Sequence, residues 1–488
     1  MSGSSQERVK PNDQKALFKH TKNYFTASAI TSVIASLNFL IITYFLTLEE
    51  YGYLSIFNTL VTVFTIIYLL NTHSGVARLQ LDERDDWDVL LGSNLLFVCL
   101  WIGLLSIGLS SWSRELYTYF AIPPAVFYWA MIVSALQCTY QYLMIYLSTD
   151  QQSERYSKLS VYKRLFSVVG SISLIIMFTD ERYLGKVYAE VAVGTFFGLY
   201  CAYALYRLAS FRVFGSPWRS YLGESLRYAL PLIPHTLSRY ILGYFDQLQI
   251  NQISGGADTG RYAFAANVAI FMGFIVTAAG KAWHPIFIDL YQRGQYSEIE
   301  RLVQPHARRI FLVACVISLY AGDVIYLIVP AQYHAGVPLI PIILLGYVCV
   351  FLYTLYFQYS SYRKRTELIS IATLLAGTLN IALNAYFIPT YGYQAAAYTT
   401  FFSYFTLLSL HYINARFILR AHVLEWRNLA PNVSFVTIVT LCASYLYTLS
   451  ISQHYLLIYG VKLTLTAGCV YLFTTWLRPD RAHLEEDS

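Results

Sequence analysis

Two ionisable residues stand inside one apolar run, "LSRYILGYFDQLQI", where Arg239 precedes Asp246 by seven positions. An ionised side chain in a membrane-crossing helix costs about 2.5–3.5 kcal/mol on insertion scales, so it usually faces a cavity or a partner. Seven positions are two helical turns, which puts both residues on one face. Helical side chains lean toward the N-terminus, so Arg239 points away from Asp246 and a self-contained ion pair is disfavoured. Counted from Tyr228 at 1.5 Å per residue, Arg239 lies about 16 Å along the run. His235 sits one turn before it, and the next run returns in the opposite direction, bringing Lys281 and His284 to the same half. Arg239, Lys281, His235 and His284 could therefore line one basic vestibule. Guanidinium binds phosphate oxygens bidentately and ammonium adds a point charge, a combination suited to pyrophosphate. The plainer alternative is a Lys281 that snorkels and histidines that sit at the interface.

Three acidic residues interrupt apolar runs: Asp246, Glu190 and Asp323. Each could partner a cation or take up a coupling ion. Asn38, Asn380 and Asn384 are expected to join helices by amide hydrogen bonds. Pro231, Pro234 and Pro285 are expected to kink the helices beside the basic residues.

These residues must be positioned by long helices. The 488 residues are 56% hydrophobic and only 13% charged, about half the charge of a soluble domain. Apolar runs of about 20 residues recur from Tyr24 to Leu477, each long enough for a hydrocarbon core about 30 Å thick. Alternating ten-residue strands of a barrel are absent. The reading is an all-α membrane protein with about fourteen transmembrane helices. The seven cysteines fall singly in different runs with no CxxC spacing, which fits buried apolar residues rather than a metal or redox site. The polar, basic N-terminal segment and the full-length first run argue against a cleavable signal peptide.

Lys and Arg set the expected orientation. One side collects the N-terminal Arg8, Lys10, Lys15, Lys19 and Lys22, then Arg155, Lys158, Lys163 and Arg164, then later clusters through Arg363, Lys364 and Arg365 to Arg478 and Arg481. The other side holds Arg114, Arg182, Lys186 and Arg261. That bias predicts both termini in the cytoplasm. The expected division is an N-terminal cytoplasmic segment 1–23, an N-lobe of six helices over 24–206 and a cytoplasmic linker 207–225. A C-lobe of six helices over 226–415, a cytoplasmic loop 416–428, two last helices over 429–477 and a tail 478–488 follow.

The two lobes read as a repeat. "EEYGYLSIFNTLVTVF" and "ADTGRYAFAANVAIFM" match at Gly52 and Gly260, and "RYLGKVYAEV" and "TYGYQAAAYT" match at Gly185 and Gly392. Offsets of 208 and 207 predict two pseudo-symmetric six-helix lobes in one orientation, with a substrate path at their interface.

"LRYALPLIPHTLSRYILGYFDQLQINQISGGADTGRY" resembles the seventh-helix signature of polysaccharide-unit (O-antigen or exopolysaccharide) flippases of the MOP exporter superfamily. "KAWHPIFIDLY" resembles the eighth-helix Trp-x-Pro segment of that family, and "LNIALNAYFIPTYGYQAAAYTT" its eleventh-helix Asn-x-x-x-Asn and Gly pattern. "LTLEEYGYLSIFNTL" resembles its first loop and second helix; Gln247 stands where an Arg often follows the Asp. The resemblance implies a two-lobed exporter of the cell inner membrane. Such a protein would move undecaprenyl-pyrophosphate-linked oligosaccharide from the cytoplasmic to the periplasmic leaflet, with a groove for the lipid tail in the last two helices. Implied partners are the lipid-linked oligosaccharide, the bilayer, and polysaccharide polymerase and export machinery; nucleic acid is not among them.

Enzymatic readings fare worse. Asp86-x-Asp88 has the spacing of a metal-bound sugar-nucleotide site, yet it lies in a short loop with no α/β domain around it. HExxH, P-loop and Ser/His/Asp motifs are absent, so no cofactor or metal is expected. A polymerase or ligase would need a large outer loop, and none is present. A lipid II exporter or a drug/cation antiporter of the same superfamily remains the alternative, although a drug exporter would favour an acidic cavity.

Overall fold

The computed structural model describes residues 11–80, 86–211, 218–363, 365–422, 424–449 and 451–474, with the side chains of 11–19, 21, 235, 366, 451–455 and 474 left undescribed. Arg8, Lys10, Arg84, Arg212, Lys364, Arg478 and Arg481, and the side chains of Lys15 and Lys19, thus lie outside the described residues. Among the described residues every regular element is helical.

Six long helices come first: α1 (Pro11–Ile42), α2 (Leu48–Leu69), α3 (Trp87–Ser111), α4 (Pro124–Thr149), α5 (Ser153–Met177) and α6 (Arg182–Leu208). The next six are α7 (Ile233–Ser254), α8 (Gly256–Gln292), α9 (Tyr296–Ile328), α10 (Leu339–Tyr362), α11 (Thr366–Tyr391) and α12 (Ala395–Ile413). The last two are α13 (Trp426–Leu446) and α14 (Ile451–Thr474). Among the described residues, twelve helices are long and apolar enough to cross a membrane; α7 and α12 are outside that set. The expected count of fourteen exceeds twelve by these two, and the cause is chemical. Arg239, Asp246, Gln247, Gln249, Asn251 and Gln252 on α7, and His411 with Tyr398, Tyr404 and Tyr412 on α12, lower their hydropathy.

Local signals set the helix ends. Thr47 caps α2 in a reciprocal box: its hydroxyl accepts from the Glu50 backbone N–H (3.2 Å), and the Glu50 carboxylate accepts from the Thr47 N–H (2.9 Å). This satisfies two of the donors that every helix start leaves open.

The chain forms two compact units, Met1–Ile233 and Pro234–Ser488. The division falls inside the seventh expected span rather than before it. The short helix Trp218–Ala229 packs within the first unit, against α3 and the helix Thr72–Gln80. Asn94 donates to Ser225 (3.1 Å), and Tyr221 donates to Asp86, so the Asp86-x-Asp88 loop is a docking point for that helix. A 3-10 turn, Leu230–Leu232, containing Pro231 separates it from α7. Proline removes a backbone donor and favours such a break.

Each unit repeats one scheme of pairing. In the first, α4 and α5 both pack on α6, α2 on α4 and α1 on α5; in the second, α10 and α11 both pack on α12, and α8 on α10. Leu242 of α7 packs with Ala372 and Ala376 of α11, the counterpart of α1 on α5. The two six-helix lobes predicted from the offsets are therefore present. The matched glycines are less alike. At Gly185 a Cβ would come within 2.8 Å of the Leu174 backbone, so α6 crosses α5 at a bare backbone, whereas Gly392 has φ +73° and turns α11 into α12. Helices α13 and α14 pack on α9 in the second unit, and α13 also on α10.

Candidate functional site

Helix α7 carries the residues that opened the sequence reading. Arg239 is exposed, its guanidinium 5.9 Å from the Tyr240 ring, and among the described residues it has no ion pair. Asp246 is 1% exposed and takes its hydrogen bonds elsewhere. Tyr262 of α8 and Thr400 of α12 each donate to Oδ2 at 2.6 Å, and Asn384 of α11 donates to Oδ1 at 2.6 Å. Arg239 and Asp246 are thus not an ion pair. The 3-10 turn at Leu230–Leu232 lies between Tyr228 and Arg239, and Arg239 stands about 9 Å along α7 from its first residue, Ile233.

Asp246 is the centre of a network. Asn384 Nδ2 also donates to Gln249 Oε1 (3.1 Å), Asn380 donates to Thr400 (3.3 Å), Thr399 donates to Asn384 Oδ1, and Gln249 donates to the Ile381 carbonyl (3.1 Å). Every direct partner of the carboxylate is a neutral donor. A fully buried carboxylate surrounded this way can hold its charge through those hydrogen bonds, and it can also take up a cation or a proton. An apolar groove of about 650 Å³ between α11 and α12 has Thr399 in its wall, so it reaches this network directly.

The sequence reading named Asp246, Asn380 and Asn384 separately and missed Tyr262, Gln249, Thr399 and Thr400. Gln249 and Asn384 were detectable as polar residues at helical spacing from Asp246 and Asn380. The threonines carry no signal within an apolar run, because threonine usually bonds its own helix.

Lys281 is exposed on α8 with no ion pair among the described residues. His284, also exposed, donates through Nδ1 to Gln358 of α10 at 2.5 Å. No hydrogen bond or ion pair joins Arg239, Lys281 and His284 to one another, and the His235 side chain lies outside the described residues.

The other two acidic candidates are paired. Glu190 accepts from Lys186 in the same helix and from Ser167 of α5 (2.5 Å). Lys186 is 5% exposed, which corrects its expected place in an outer loop: four residues before Glu190, it reaches the carboxylate along the helix face. Asp323 of α9 accepts from Lys462 of α14 at 2.6 and 2.8 Å. Lys462 is 1% exposed and lies among the rings of Tyr447 (4.7 Å), Tyr459 (5.3 Å) and Tyr320 (5.9 Å). Both pairs have the geometry of structural ties, which leaves Asp246 as the one of these three acidic candidates with no cationic partner among the described residues.

The family model described as "Polysaccharide biosynthesis protein" matches residues 17–291. Lsg locus putative protein 1 of Haemophilus influenzae is 22% identical over 358 residues, 68% of this chain and 82% of the relative. Among solved structures, the Lipid II flippase MurJ in an inward closed conformation is similar with TM-score 0.67 over 95% of this chain and 100% of that one, at 11% identity. An inward-facing multidrug resistance MATE family transporter of the MOP superfamily is similar with TM-score 0.63 over 79% of this chain and 94% of that one, at 14% identity. At these identities the likeness is one of fold. The chain is a multi-pass membrane protein with the fold of MOP-superfamily transporters, and it belongs to the polysaccharide biosynthesis protein family.

Proposed function

We propose that the protein is a transporter that moves an undecaprenyl-pyrophosphate-linked oligosaccharide repeat unit from the cytoplasmic to the periplasmic leaflet by alternating access. It would serve surface polysaccharide synthesis, O-antigen or exopolysaccharide, in the cell inner membrane with both termini cytoplasmic. It performs no covalent chemistry, and polysaccharide polymerase and export machinery would act on what it delivers. The observation that carries the reading is the exposed guanidinium of Arg239, without a counter-ion among the described residues, on a helix of a polysaccharide-family membrane protein. A diphosphate would satisfy it bidentately, with Lys281, His235 and His284 as further basic contacts. Asp246 is the group assigned to a coupling ion, since Glu190 and Asp323 already have cationic partners.

The test is complementation of a deletion strain, with the lipid-linked intermediate followed by leaflet. The deletion should accumulate the intermediate on the cytoplasmic side. Replacing Arg239 with Ala removes charge-assisted contacts of about 1.5–3 kcal/mol, so export should fall about tenfold or more at equal protein level. Arg239→Lys keeps the charge without the fork and should export partially. Wild-type export by the Ala variant would remove Arg239 from the mechanism. Accumulation of lipid II or of a cationic drug instead would favour the related exporters.

A further inference from the structure

We infer that Lys163 of the first unit is a second contact for the cargo, a site for an oxyanion carried on the lipid-linked glycan; this rests on the transport reading above. The sequence placed Lys163 among cytoplasmic charges, and its geometry differs. Its ammonium donates to Gln137 Oε1 at 2.5 Å and lies 3.7 Å from the centre of the Tyr140 ring, both on α4. Helix α4 ends at Thr149 and α5 begins at Ser153, so both helices meet the same face. Tyr140 and Gln137 precede the end of α4 by nine and twelve residues, about 14 and 18 Å. The ammonium is held level with these two residues of α4, rather than extended toward the ends of the two helices as a snorkelling lysine would be.

The charge around it does not balance. Glu190 is the acidic group of this cluster, and its Oε1 is engaged by Lys186 and Ser167. Lys163 has a neutral amide and a ring face, with no carboxylate in ion-pair contact among the described residues. Arg164 beside it is exposed. Two ammonium groups thus face one carboxylate, and a half-buried cation in a membrane helix calls for a counter-charge. One of the three donors of Lys163 is used on Gln137, leaving others to a ligand. An ammonium accepts a carboxylate or a phosphate from any angle, so the shared chemistry is a sugar-linked oxyanion, either a uronic carboxylate or the lipid phosphate.

Calorimetry on the full-length protein in nanodiscs, titrated separately with glucuronate and with inorganic pyrophosphate, tests this. Lys163→Met should weaken one probe about tenfold or more, as expected for a lost charge-assisted contact, and Lys163→Arg should restore most of it. Loss for glucuronate assigns the sugar carboxylate; loss for pyrophosphate assigns the phosphate. If Lys163→Met melts early, Lys163→Gln is the reporting variant. Wild-type protein that binds neither probe, or a neutral variant that binds both normally, overturns the inference. Arg239→Ala, run alongside, separates the two claims: its loss of pyrophosphate binding while Lys163→Met keeps both probes leaves the transport reading standing and removes Lys163.

Discussion

Asp246 pairs with three neutral donors from three different helices, and that choice of partners defines what the residue can do. A structural carboxylate this deep is normally matched by a cation, as Asp323 is by Lys462. Asp246 instead has hydroxyls and an amide that can reorient when a cation or proton arrives or leaves. Asp246→Asn keeps the side-chain shape and one acceptor oxygen. The purified variant should therefore melt within a few degrees of wild type while export falls about tenfold or more. Normal export by Asp246→Asn would assign the network to stability alone. Thr400→Val probes the packing side of the same site by removing one donor to Oδ2. It should cost about 1–3 kcal/mol of stability, read as a lower thermal midpoint, and an unchanged midpoint would mean that water replaces the hydroxyl.

Helices in this fold are held where polar groups or bare backbone meet, because lipid offers no hydrophobic drive between them. The junction of α9, α13 and α14 is the clearest case. A Cβ at Gly322 would come within 2.3 Å of the Tyr447 ring, and the Tyr447 hydroxyl bonds both the Gly322 N–H (3.1 Å) and the Leu319 carbonyl (2.6 Å). Tyr320 bonds Thr466 (2.7 Å), and Lys462–Asp323 completes the tie of α14 to α9. Replacing Lys462 with Met leaves a carboxylate unpaired and should destabilise by about 3–5 kcal/mol, whereas the double change Asp323→Leu with Lys462→Met should recover most of it. Thermal melting of the two single variants and the double variant gives the coupling; additive losses would show that the pair is not a tie. The sequence reading named Asp323 but could not join it to a lysine 139 positions away. Lys186 and Glu190, four apart on one helix, could have been joined from spacing, and were missed because Lys186 was assigned to a loop.

For the whole molecule, the apolar runs marked where the long helices lie, and the glycine offsets anticipated the repeated pairing of α2, α4, α5 and α6 in α8, α10, α11 and α12. The break at Leu230–Leu232 was less legible: Pro231 and Pro234 signalled a kink, but the docking of the short helix depends on Gly75, Asn94 and Ser225, which carry no period. Orientation is the property that the charge pattern addresses, and the structure changes that pattern at one residue. Lys186 leaves the outer set by being buried with Glu190. The smaller set then holds Arg114, Arg182 and Arg261 against the larger one that includes Arg155, Lys158 and Arg363, and the proposed orientation rests on that asymmetry of Lys and Arg. In a cysteine-free background, Arg261→Cys should react with an impermeant maleimide from the outside of spheroplasts, and Arg363→Cys should react only after lysis. Arg261 sits near the start of α8 and Arg363 just past the end of α10, three crossings apart, so the pair reports on α8, α9 and α10 together. Labelling of both sites from one side would mean that one of those helices does not cross, and the proposed orientation would fail with it.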